Sequence, residues 1–179
     1  MQTEKVAAAK PAAIILREKD LSEQEYRVLA ADVKEICEAH DVPLILHSFY
    51  KAAARLDIRA VHLPLPLLRT MSDSEKKWFS ALGASCHSAE DALEAHRLGC
   101  TYITAGHIFA TDCKKGVPPR GIDFLKEVCG SVDIPVYAIG GINPENAPSA
   151  KEAGARGVCV MSGLMKSDNP TEYVNNFNF

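Results

Sequence analysis

The chain reads as one α/β domain of the TIM (β/α)8 barrel type that lacks its first strand. Three observations predict this. Short apolar runs rich in β-branched residues alternate with longer stretches of helical pattern from end to end. Several of the runs are almost wholly apolar, as strands buried on both faces are. No low-complexity segment or long linker breaks the alternation, and 179 residues at 47% hydrophobic and 24% charged give a single domain over 1–179 enough core to fold.

In chain order, residues 1–10 carry Val6, Ala7, Ala8 and Ala9 and read as the end of a helix. Strands are expected at 12–17, 43–47, 60–63, 81–86, 102–107, 135–140 and 157–161. Ser22 with Glu25 forms a capping box that opens a helix running to His40. The prolines of 64–73 mark an ordered loop into a short helix. Ser88 with Asp91 opens a second boxed helix that ends at Gly99, and Asn143 followed by Pro144 reads as an N-cap with proline in the first turn.

Seven strands are one fewer than a closed barrel of this type requires, and the missing one falls at the start. The count points to an N-terminally shortened chain or an altered start site. It leaves a gap between the first and last strands, an edge that invites pairing with another chain.

Composition narrows the partners. The net charge is −3 and the basic residues are dispersed, so an extended nucleic-acid surface is not expected. No apolar run approaches the roughly 18 residues of a membrane span, and the first ten residues lack the apolar core of a secretory signal. A soluble, cytoplasmic protein with no membrane partner is expected. The six cysteines show no CxxC spacing and read as reduced thiols, which disfavours zinc ribbons and structural disulfides.

The segment from Gly106 to Gly116 carries the most chemistry. His107, an imidazole at a strand end, is a candidate acid/base, and Lys114, Lys115 and Arg120 follow it as cations for a phosphate or carboxylate. In a βα barrel such groups belong at the C-terminal ends of the strands, with phosphate held after the last two. There the chain offers Gly140-Gly141 and Ser162-Gly163, whose backbone N–H groups can approach an anion closely. His62, within a strand, reads as a hydrogen-bonded interior residue; His40 and His96 belong to solvated helices; Cys113 is a weak nucleophile candidate in a basic loop.

Six blocks in fixed order carry a resemblance to the thiamine phosphate synthase superfamily, which includes the TenI-type thiazole tautomerases. They are Leu16-Arg17-Glu18-Lys19, Val61-His62-Leu63, Ser85-Cys86-His87-Ser88-Ala89-Glu90-Asp91-Ala92, the Gly106 to Gly116 segment, Ala138-Ile139-Gly140-Gly141-Ile142 and Val160-Met161-Ser162-Gly163. The family's opening strand coincides with the missing one. Synthases of this family join a pyrimidine pyrophosphate to a thiazole phosphate, with magnesium held by aspartates. Where they carry Asn-Asp, this chain has His47-Ser48, and where they carry Gly-Gln-x-Asp, it has Pro64-Leu65-Pro66-Leu67. Neither set replaces hard carboxylate ligands. Synthases have Gly-Pro at the Gly106-His107 position, whereas the tautomerases resemble this chain.

The resemblance therefore implies a thiazole tautomerase, an isomerase of thiamine biosynthesis that aromatises a carboxythiazole phosphate. His107 is the expected acid/base. Gly141, Ser162 and Gly163 are expected at the phosphate, with Lys114 nearby. Arg17 and Lys19, which match the family's pyrophosphate pair, are expected to offset carboxylate charge, and Ser85 and His87 to contact the substrate at the barrel mouth. No metal or other cofactor is expected; magnesium enters only under the alternative of a thiamine phosphate synthase. The partner is a small-molecule thiazole phosphate, and family members often form homodimers. Two further alternatives are a non-catalytic phosphate-binding homologue and a zinc hydrolase built on His47, His62, His87 and His107.

Overall fold

The computed structural model describes residues 2–114 and 116–177, apart from the side chain of Cys113. Seven parallel strands form one sheet in chain order: β1 (Ile14–Leu16), β2 (Leu44–His47), β3 (Ala60–Pro64), β4 (Ala81–Cys86), β5 (Tyr102–Gly106), β6 (Val136–Ile139) and β7 (Gly157–Cys159). Each expected strand is present. The first and last are cut back from 12–17 and 157–161, because each has a strand neighbour on one side only. Among the described residues β1 and β7 do not pair with each other, so the sheet is an open barrel with its gap where the strand count places it.

The helices are α1 (Gln2–Ala8), α2 (Glu23–Ala39), α3 (Tyr50–Arg55), α4 (Leu65–Thr70), α5 (Asp73–Lys77), α6 (Ala89–Arg97), α7 (Gly121–Ser131), α8 (Ala147–Glu152), α9 (Ser162–Lys166) and α10 (Pro170–Asn175). Helix α1 packs against α2, α9 and α10, joining the two ends of the described chain. Gln2 Nε2 fixes that contact by donating to the carbonyl oxygens of Leu164 and Ser167, each at 3.1 Å.

Ser22 and Glu25 form the full capping box of α2. The Ser88 box is only half made: Ser88 Oγ accepts from Asp91 N, but the Asp91 carboxylate accepts from the backbone N–H of His87 instead. Asn143 corrects the sequence expectation. Its side chain accepts from the N–H groups of Glu145 and Asn146, which makes a turn, and α8 begins only at Ala147. Residues 64–73 hold more helix than expected, since α4 starts immediately after β3 and Ser72 then boxes α5.

Strand register sorts the side chains onto two faces. One face carries Leu46, Val61, Leu63, Leu82, Ala84, Ile103, Ala105 and Ala138, all buried in the apolar core under the helices. The opposite face lines the barrel in polar rows. His47, His62, Gly83 and Tyr102 lie side by side, and Ser85, Thr104, Tyr137 and Gly157 follow one layer up. Each glycine makes room for the tyrosine beside it: a Cβ on Gly157 would lie 2.8 Å from Tyr137 Cε1, and one on Gly83 would run into the Tyr102 ring.

Candidate functional site

The site is built at the C-terminal ends of the strands, where parallel βα units present their loops. His107 follows β5 and is buried, 9% exposed. Its Nε2 lies 3.3 Å from the Val117 carbonyl oxygen. Donation of Nε2–H to that carbonyl leaves Nδ1 of the neutral ring as a base. His107 O accepts from Arg120 N at 3.0 Å, which ties the end of the cationic loop back to the strand end.

The Gly140-Gly141 turn after β6 closes over this segment. Both glycines have positive φ, 97° and 66°. A Cβ on Gly140 would collide with His107, and one on Gly141 would lie 2.8 Å from Phe109 Cβ. The glycines are thus required by close packing on the His107 segment, a role the sequence reading did not assign beside their expected anion contact. At Gly163 the constraint is weaker, because a Cβ there would meet the hydroxyl end of the Tyr173 side chain rather than backbone. Ser162 opens α9 and is exposed at the β7 end.

His87, after β4, donates from Nδ1 to the carbonyl oxygen of Gly106 at 2.9 Å. Ser85 lies one inward position below it and contacts His62 Nε2 at 2.9 Å. His62 also meets Tyr102 Oη through Nδ1 at 3.1 Å and Thr104 Oγ1 through Nε2 at 3.3 Å. It is the interior histidine that its place in a strand suggested. Burial, with a smaller contribution from His47, drives its pKa down to about 3 and keeps it neutral.

Arg17 and Lys19 follow β1, exposed and without a hydrogen-bond or ion-pair partner among the described residues. Their charges act on His47 at the end of β2. Burial first, then Arg17 and Lys19, lower the His47 pKa to about 4. His47 Nδ1 lies 2.7 Å from Ser48 Oγ, and its ring centroid is 5.7 Å from that of His62. In the sequence, His47 and Ser48 stand out as a replacement of metal ligands and His47 as one of four strand histidines, and no local signal reveals the position of the pair among the cations. Lys114 ends a 3₁₀ turn (Asp112–Lys114) and is exposed in a shallow depression formed by its own loop. Lys115 and the Cys113 side chain lie outside the described residues. His96 is exposed, and His40 caps α2 with Nε2 3.9 Å from Glu4 Oε1.

The donor set does not fit the magnesium implied for synthases. At the end of β2 stands Ser48, and β3 runs straight into α4 through Leu65, Pro66 and Leu67, none of which has a side-chain oxygen. Among the described residues no three His, Cys, Asp or Glu side chains converge as metal ligands. Both His62 ring nitrogens have partners inside the protein, which leaves a zinc site on the four histidines without support. The five described cysteines are unbridged. No helix among the described residues is long and apolar enough to cross a membrane.

Comparison with known proteins agrees with this geometry at the level of family. The thiamine monophosphate synthase family matches residues 1–164. The chain is 35% identical over 159 residues to the thiamine-phosphate synthase of Clostridium tetani, covering 86% of this chain and 74% of the relative. It is 36% identical over 159 residues, with the same coverage, to thiamine-phosphate synthase 2 of Streptococcus pneumoniae serotype 4. Among solved structures, thiamine phosphate pyrophosphorylase from Pyrococcus furiosus has a TM-score of 0.84 at 27% identity, over 98% of this chain and 85% of that one. A 3-hexulose-6-phosphate synthase, with a TM-score of 0.73 at 14% identity over 98% and 91% of the two chains, shares the fold alone. The relatives' names favour the transferase alternative, and none of these carries the isomerase name. On sequence and on fold, the chain belongs to the thiamine monophosphate synthase family.

Proposed function

We propose that this chain binds a thiazole phosphate at the barrel mouth and isomerises it, with His107 moving the proton. One observation carries the reading. The ends of β2 and β3, where the family resemblance expects metal-binding carboxylates, hold Ser48 and Leu65 to Leu67, whereas β5 ends in a buried imidazole. Proton transfer needs such an imidazole; departure of a pyrophosphate calls for hard oxygen ligands around magnesium.

In the proposed step a proton leaves the ring carbon that bears the carboxylate, and a proton reaches the exocyclic alkene carbon. Bonding electrons shift through the ring, which becomes aromatic, and no atom is gained or lost. His107 Nδ1 takes the first proton while Nε2–H stays on Val117 O, and the imidazolium returns a proton to the side-chain carbon. Arg17 and Lys19 stabilise the negative charge that develops as the first proton leaves. The turns at Gly141 and at Ser162 and Gly163 receive the phosphate, with Lys114 in the adjoining loop.

A second reading is condensation to thiamine phosphate, favoured by identity to the curated synthases over most of the chain. Parallel product assays on the purified chain separate the two. Isomerisation of the non-aromatic carboxythiazole phosphate in the presence of a chelator supports the first reading. Thiamine phosphate formed only with magnesium supports the second, and binding of the thiazole phosphate without either product supports a non-catalytic homologue.

A further inference from the structure

Ser48 is held in a conformation that its local sequence does not require. Its φ is 67°, in the left-handed region that side chains other than glycine and asparagine rarely adopt. The other described non-glycine residues with positive φ, Lys10, Asp41 and Asp57, each come just after a helix, where that conformation is an ordinary C-terminal cap. Ser48 instead follows β2 and precedes α3.

Three contacts impose the conformation. Ser48 N donates to His62 O at 3.0 Å, Ser48 O accepts from Tyr50 N at 3.0 Å, and Ser48 Oγ pairs with His47 Nδ1 at 2.7 Å. His47 is in turn fixed against the His62 ring and lies within the field of Arg17 and Lys19. A strained backbone over-determined by its surroundings is a mark of a positioned functional group.

We propose that Ser48 is a specificity-determining residue that recognises the carboxylate of the substrate, in a seat completed by Arg17, Lys19 and the His47 that orients it. The inference rests on the isomerase reading and names the anion that this corner of the mouth takes. With the carboxylate bound, His47 carries its proton on Nδ1 and donates to Ser48 Oγ, which frees the Ser48 O–H to donate to the anion. Arg17 and Lys19 supply the countercharge from the neighbouring strand end. A corner holding an aspartate would repel the same group.

The experiment compares calorimetric binding of two stable probes, the aromatic carboxythiazole phosphate and the thiazole phosphate that lacks the carboxylate, to wild type, Ser48→Gly and Ser48→Ala. The expected wild-type preference for the carboxylated probe falls about 10- to 100-fold in both variants, the range for one hydrogen bond to a charged group. Affinity for the other probe stays unchanged. Ser48→Gly, relieved of the left-handed strain, is expected to melt about 2–4 °C higher than wild type, and Ser48→Ala is not. A preference that survives in both variants, or its absence from wild type, overturns the proposal. Binding is read without turnover, so these results stand apart from the fate of the isomerase reading. Undiminished isomerisation by Ser48→Gly at the wild-type KM would sink the carboxylate seat and leave the reaction in place.

Discussion

His87 Nδ1 lies 2.9 Å from the carbonyl oxygen of Gly106, so the imidazole at the end of β4 donates to the peptide that carries His107. Asp91 holds the base of the same residue by accepting from His87 N at 2.8 Å. The two strand ends are locked together through one side chain. The carbonyl acceptor also sets the His87 tautomer, with the proton on Nδ1.

His87→Ala should therefore lower kcat about tenfold through misplacement of His107, with little change in KM, since positioning errors act on the reacting geometry. His87→Gln, which retains a donor, should recover part of the loss. A change confined to KM would mean that His87 serves binding instead.

Isomerisation by His107→Ala should drop about 10²- to 10⁴-fold, the usual contribution of a positioned acid/base. Calorimetric affinity for a thiazole phosphate should remain near wild type, because the turns proposed to receive the phosphate lie after β6 and β7.

Stability should fall as pH decreases from neutral. His62 and His47 have folded pKa values lowered to about 3 and about 4, chiefly by burial, against 6.5 for the free side chain. Below 6.5 the unfolded chain binds protons that the folded one refuses. The stabilisation is complete above that value and is lost as pH falls towards 4 and then 3. His62, the more buried, contributes a slope of up to about 1.4 kcal/mol per pH unit, and His47, partly solvated, contributes less. Urea unfolding of wild type and His62→Gln between pH 7 and pH 4.5 checks this: the variant should show the shallower dependence, and identical slopes would contradict it.

Gly83→Ala should destabilise the fold by about 1–3 kcal/mol, because the added methyl meets the Tyr102 ring inside the barrel. Combined with Tyr102→Ala the penalty should shrink. Strictly additive costs in urea unfolding would show that the two residues do not share that space.

The strands and their order were legible in the sequence because apolar runs, capping boxes and glycine turns are local signals, and the strand count exposed the open barrel. Asn143 misled because the same side chain that caps a helix also closes a turn; here α8 begins at Ala147. The mouth was legible residue by residue but not as a constellation. His87 to Gly106 and His62 to Ser85 are contacts across strands, fixed by register rather than by spacing along the chain. The left-handed Ser48 has no sequence signature, since its conformation comes from β3 and His47.

The most direct measurement is the rate of isomerisation of the non-aromatic carboxythiazole phosphate by wild type and His107→Ala, each with a chelator and with added magnesium. Turnover by wild type that is indifferent to the metal and lost in the variant is the predicted result. Isomerisation that survives in His107→Ala, or an enzyme that yields only thiamine phosphate and only with magnesium, would contradict it.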